Sequence, residues 1–120
     1  SLKTAFSPVE AILHGKGEIV ALVKPIFETA DAALRRSGEI NDEGALIAVL
    51  EDLIAFFAER AEVSGLCASP VRGNTGVVEF FLHLKLGGAC RCTIENQTDA
   101  IRRVVGEALA LPRFSKKESK

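Results

Sequence analysis

The stretch Gly17-Glu18-Ile19-Val20-Ala21-Leu22-Val23-Lys24-Pro25 decides how the rest of the chain is read. Its near-continuous apolar run is what a parallel strand buried on both faces requires, and Pro25, which has no N–H to donate, closes it. On its N-terminal side, Phe6, Val9 and Leu13 recur at helical spacing across residues 4–14, with Pro8 tolerable in a first turn. Gly15 and Gly17 punctuate the passage from that helix into the strand.

Downstream, residues 27–44 mix Thr29, Asp31, Arg35, Arg36, Gly38, Asn41 and Asp42 and hold at most one or two helical turns. Asp42 is then placed to cap a helix in which Leu46, Val49, Leu50, Leu53, Ile54 and Phe57 follow a period near 3.6. Two further strands are predicted, over 62–69 and 77–85, joined as an antiparallel hairpin by a wide loop around Ser69-Pro70-Val71-Arg72-Gly73-Asn74-Thr75-Gly76. Gly87 and Gly88 break the pattern. Asn96 or Thr98 can cap a last helix whose Ile101, Val104, Val105 and Ala108 share a face, and the tail from Arg113 to Lys120 is polar and loose. The order helix, strand, helix, strand, strand, helix suits an α/β fold: the closing half of a doubly wound sheet, a parallel strand plus an antiparallel terminal hairpin, flanked by helices.

With 120 residues, 48% of them hydrophobic and 26% charged, the chain has the material for one core that buries roughly two thirds of its unfolded surface. A net charge of −1 gives no global basic field, so contact with nucleic acid cannot be argued from charge balance. Cys67, Cys90 and Cys92 are an odd number, which argues against a disulfide framework and for a reducing, cytoplasmic setting. No apolar run approaches the roughly 18–20 residues that span a bilayer. Cys90-Arg91-Cys92 lacks a second close ligand pair and makes a weak zinc signature, with His14, Cys67 and His83 too scattered to complete it. Nor is a serine or cysteine nucleophile placed beside His83 by any motif, so a hydrolase has no support.

Two blocks carry a resemblance: Gly17-Glu18-Ile19-Val20-Ala21-Leu22-Val23-Lys24-Pro25-Ile26-Phe27-Glu28, and Ser69-Pro70-Val71-Arg72-Gly73-Asn74-Thr75-Gly76-Val77-Val78-Glu79-Phe80-Phe81-Leu82-His83-Leu84. Together they resemble the hemolysin-A (TlyA) branch of the FtsJ-like RNA methyltransferases, over residues 1–86. The chain departs from the family pattern at Ile26, Asn74 and Val77, where the family has Gln, Pro and Asn. The resemblance implies a Rossmann-like seven-stranded sheet, of which this chain matches strands five, six and seven, with strand seven antiparallel. Residues 87–120 would then form a helical extension and tail.

The same resemblance implies the chemistry. FtsJ-like enzymes transfer a methyl group from S-adenosylmethionine to a ribose 2′-hydroxyl of ribosomal RNA, using a Lys-Asp-Lys-Glu tetrad. By motif position Lys24 corresponds to its second Lys and Glu79 to its Glu, while the first Lys and the Asp would lie upstream of Ser1. A ribose hydroxyl is a poor nucleophile, so such chemistry calls for an amine that can take its proton and carboxylates that orient it. Arg35, Arg36 and Arg72, in or near loops, are the candidates for contact with RNA phosphates against a plain reading as solvated surface charge.

No glycine-rich strand-to-helix turn that could cradle S-adenosylmethionine is present, and the chain has no Met and opens on Ser1-Leu2-Lys3. The expectation is therefore the C-terminal part of such an enzyme, inactive alone and binding no cofactor by itself. The rival is a noncatalytic α/β module that binds RNA or protein or forms a homodimer through an exposed strand edge. Membrane perturbation, which the hemolysin label suggests, is discounted because the helix over 45–60 carries Glu51, Asp52 and Glu59 where a basic face is needed.

Overall fold

In the computed structural model, residues 1–73 and 76–112 are described; the expectations for Asn74, Thr75 and the 113–120 tail lie outside them. Among the described residues nine elements follow in order: α1 (Leu2–Ile12), β1 (Gly17–Val23), α2 (Pro25–Glu28), α3 (Ala32–Ser37), α4 (Glu43–Ala58), β2 (Glu62–Ala68), β3 (Phe80–Leu86), β4 (Arg91–Cys92) and α5 (Gln97–Leu109). The architecture is mixed α/β, a four-stranded mixed sheet in the order β1-β3-β2-β4 with helices packed against it.

The strand pairing corrects the first expectation. β1 does not lie between parallel neighbours: it is an edge strand, antiparallel to β3 from Gly17↔Leu86 to Val23↔Phe80. Nor is it buried on both faces. Ala21 and Val23 are buried, whereas Val20 is 68% and Leu22 40% exposed. The reason is that the helices feed a core on one side of the sheet only. Ala21, Val23, Val63, Phe80, Leu82 and Leu84 join Leu46, Leu50, Leu53, Ile54 and Phe57 of α4 and Ile101, Val104 and Val105 of α5 in a single buried cluster. Neither Val20 nor Leu22, which alternate to the other face, belongs to it.

The predicted hairpin is present, with β2 antiparallel to β3 and a register shift between Val63 and Gly65 that leaves Ser64 as an extra residue. β3 begins three residues later than the sequence suggests, because the chain before it turns back on itself: Gly73 N–H donates to Val77 O at 2.8 Å and Gly76 N–H to Gly73 O at 2.9 Å. β4, too short for any periodicity to reveal, pairs parallel to β2 through Glu62↔Arg91 and Val63↔Cys92.

Among the helices, α4 is capped by Asp42, whose carboxylate accepts from Ala45 N–H at 2.8 Å, and it buries Leu46, Val49, Leu50, Leu53, Ile54 and Phe57 as the period requires. α5 buries Ala100, Ile101, Val104, Val105 and Ala108 against α4 and β2. Asn96 occupies its N-cap position in a left-handed conformation without a side-chain capping bond. In α1, Ser1 is the cap, so Pro8 falls in the helix interior and not in its first turn. Thr4 and Pro8 both lie on the exposed side, where water can serve the carbonyl that Pro8 cannot pair.

Candidate functional site

Register brings the two residues singled out for proton chemistry together. β1 and β3 are paired as far as Val23↔Phe80, and one step further along both antiparallel chains Lys24 comes opposite Glu79. The side chains meet: Lys24 Nζ is 3.7 Å from Glu79 Oε2, with the lysine side chain 44% exposed and the carboxylate 13% exposed. Lys24 is fixed at the junction where β1 ends and Pro25 starts α2, its carbonyl accepting from Phe27 N–H at 2.9 Å. Glu79 is fixed by its backbone, since its carbonyl accepts from Ser69 N–H at 2.8 Å and continues the β2–β3 ladder past its last strand pair.

Gly73, in the segment between β2 and β3, walls this corner. Ser69 is buried and its hydroxyl donates to Val71 O at 2.8 Å. Gly73 packs directly on the carboxylate: a Cβ there would lie 3.0 Å from Glu79 Oε2 and 3.3 Å from its Cδ. The corner lies where β1 and β2, which run parallel to each other on either side of β3, both end. That is where ligands bind in open α/β sheets. It joins a half-exposed amine, a largely enclosed carboxylate and backbone held close by glycine. Such a set can orient a hydroxyl and exchange a proton with it.

The three candidate arginines differ in how they are engaged. Arg35 Nη1 donates to Thr29 O at 3.0 Å, which ties α3 to the segment following α2. Arg36 is exposed in the last turn of α3. Arg72 is half-buried and turned toward its own chain: Nε donates to Leu111 O at 3.1 Å, Nη1 to Gly76 O at 2.9 Å and Nη2 to Leu109 O at 3.0 Å. A guanidinium so engaged clamps the loop to the end of α5.

On the open face of the sheet a second polar group spans three strands. Ser64 Oγ lies 3.0 Å from His83 Nδ1, and His83 Nε2 is paired with Glu18 Oε1. The bulge at Ser64 is what turns its hydroxyl toward His83, and nothing in the local sequence announces a bulge there. Ser64 Oγ also approaches His83 O at 3.3 Å, and the group acts as a staple across β1, β3 and β2. Cys67 and Cys90 are exposed and Cys92 half-buried, all as free thiols.

Among the described residues no glycine-rich strand-to-helix turn of the kind that cradles S-adenosylmethionine is seen. A cradle for it needs a strand-to-helix turn where bare backbone N–H groups approach the ligand, and the turn from β1 into α2 instead has Lys24 as N-cap and Pro25 as the first residue of a four-residue helix. Gly15 and Gly17, both with positive φ, belong to a helix-to-strand turn, while Gly65 and Gly73 are packed against His83 and Glu79.

Comparison with known proteins sets the chain beside particular molecules. No family model matches the chain, and the proteins it is similar to are described as a putative rRNA methyltransferase and as putative hemolysins. Over 109 residues, 90% of its length, the chain is 33% identical to the putative rRNA methyltransferase YqxC of Bacillus subtilis (strain 168), of which it spans 39%. Among solved structures it is similar to a putative hemolysin from Lactococcus lactis, with a TM-score of 0.76 and 31% identity over 89% of this chain and 50% of that one. A putative hemolysin from Streptococcus thermophilus gives a TM-score of 0.66 and 33% identity, covering 78% of this chain and 33% of the other. The chain thus spans half or less of each relative. Among the described residues no helix is long and apolar enough to cross a membrane.

Proposed function

We propose that this chain supplies the C-terminal part of a cytoplasmic, S-adenosylmethionine-dependent ribosomal RNA 2′-O-ribose methyltransferase of the hemolysin-A, FtsJ-like kind, and that it is inactive alone. The observation that carries the reading is the approach of Lys24 to Glu79 at 3.7 Å, produced by the pairing of two segments 55 positions apart that the motif had singled out independently. Supporting it are the position of β3 between β1 and β2, antiparallel to both, and the 33% identity to a protein described as an rRNA methyltransferase. Lys24 takes the proton of the ribose hydroxyl and Glu79 orients the amine. In this reading Arg35 and Arg36, on α3, meet RNA phosphates, Arg36 with the greater freedom because Arg35 is engaged with Thr29; Arg72, spent on three carbonyls, is a loop clamp. The donor site belongs to polypeptide outside this chain.

Two measurements test the proposal. Isothermal titration of S-adenosylmethionine into the 120-residue chain should give no binding, and micromolar affinity would sink the division of labour proposed here. In the polypeptide that carries this segment together with the donor site, Lys24→Ala should lower the rate of rRNA methylation by about 10²–10⁴-fold, the usual contribution of a general base. An unchanged rate removes Lys24 from the chemistry.

A second reading is favoured by the exposure of Val20 and Leu22 on an edge strand: a noncatalytic module that self-associates through β1. Its test is the oligomeric state in solution.

A further inference from the structure

We propose that Arg72 is a positioning residue that couples the C-terminal helix α5 to the Lys24–Glu79 corner, an inference that rests on the reading of that corner given above. The guanidinium reaches in two directions. Through Nη1 it holds Gly76 O at 2.9 Å and closes the turn that Gly73 and Gly76 make. Through Nη2 and Nε it holds Leu109 O at 3.0 Å and Leu111 O at 3.1 Å. Those two carbonyls lie at the C-terminal end of α5, where a helix leaves acceptors without intrahelical partners and favours a cation.

The next residue, Gly73, is the one that touches the carboxylate. With no side chain it comes so close that a Cβ would sit 3.0 Å from Glu79 Oε2. Its own N–H is held by Val77 O and its carbonyl by Gly76 N–H. Gly73 therefore keeps its place only while the turn stays closed and anchored, and Arg72 supplies the anchor. Without it the wall retreats, the carboxylate gains alternative rotamers, and its alignment on Lys24 is lost while the fold persists. Lysine cannot replace the fork, since one ammonium is a point charge and three carbonyls in different directions need the planar guanidinium.

The test is carbon-13 NMR of the Glu79 side-chain carboxyl in the full chain, read through its response to Lys24→Gln. In the otherwise unchanged protein, Lys24→Gln should displace the Glu79 resonance. In an Arg72→Ala background with native-like amide spectrum, the same substitution should produce less than half that displacement, and Arg72→Lys should not restore it. A role confined to global stability would leave the response at full size in the folded variant, and that result overturns the proposal, as does a Glu79 resonance indifferent to Lys24 from the start. If Arg72→Ala does not fold, Gly73→Ala gives an independent reading. It keeps the clamp and presses a methyl on Oε2, so it should move the Glu79 resonance and weaken its response to Lys24→Gln; no change there equally overturns the proposal. None of these readouts involves methyl transfer, so a failure of rRNA methylation with the coupling intact would count against the proposed function alone.

Discussion

A methyl group on the α-carbon of Gly73 would meet two side chains at once, Glu79 Oε2 at 3.0 Å and Val77 Cγ2 at 3.0 Å. Glu79 Oε2 ends a flexible side chain but a largely enclosed one, and Val77 Cγ2 belongs to a stiff β-branched side chain. Overpacking of this sort costs about 1–3 kcal/mol. Gly73→Ala is accordingly expected to lower the urea midpoint of the chain by that amount of stability, with an unchanged m-value; an unaltered midpoint would mean the loop yields freely. Glu79→Gln is a different experiment on the same corner. It keeps the shape and the packing against Gly73 but removes the charge that faces Lys24, so the fold should persist while the methylation proposed for the longer polypeptide falls. A folded but fully active Glu79→Gln protein would remove the carboxylate from the proposed chemistry.

At the scale of elements, α4 carries the core. Phe57 is 1% exposed, at the end of the helix and in ring contact with Phe6 of α1 at 5.4 Å between centroids. Phe57→Ala should cost about 3–5 kcal/mol, against about 1 kcal/mol for Asp42→Ala, which removes only the capping bond to Ala45. Thermal unfolding of the two variants should show that ranking; equal losses would mean the Phe57 cavity collapses without cost. α4 was legible in the sequence because a 3.6-residue period sustained over four turns and opened by an aspartate suits an amphipathic helix and no strand. The β2–β3 hairpin and the last helix were legible on similar grounds. Other features were hidden for physical reasons. An apolar run such as 19–23 states that the strand is hydrophobic, not whether a second layer covers it, and β1 is covered on one face only, with Val20 and Leu22 exposed on the other. Pro8 looks tolerable in a first turn when the helix is read over 4–14, whereas it starts at Leu2 after the Ser1 cap, which no periodicity marks. β4 is two residues long. At the site, Lys24 and Glu79 were found through a motif, and their meeting follows from strand register. The direction of the Arg72 fork toward α5 depends on tertiary packing, and the Ser64–His83 contact on a bulge, so neither leaves a trace in the local sequence.

For the molecule as a whole, the sheet formed by the described residues ends in a strand, β1, that is paired on one side only and carries exposed apolar side chains. Such an edge is a template for another strand, and the sequence of β1 suits a second copy of itself. If two β1 strands pair antiparallel about a two-fold axis through Ala21, Val20 of each faces Leu22 of the other, and Glu18 of each faces Lys24 of the other. Every one of those residues lies on the same, open face, and opposite charges meet at both ends. Cross-strand pairs contribute about 0.2–1 kcal/mol each, and exposed ion pairs contribute at the low end of such a range, so the apolar pairs should dominate and salt should weaken the dimer only slightly. We expect light scattering to show a dimer at high micromolar concentration, and Val20→Lys to abolish it by setting a charge against Leu22 without touching the core. A monomer at all concentrations overturns the pairing. A dimer that survives Val20→Lys places the interface elsewhere, and a dimer lost when a longer polypeptide adds its own strand beside β1 shows that this edge is the seam where the rest of the protein joins.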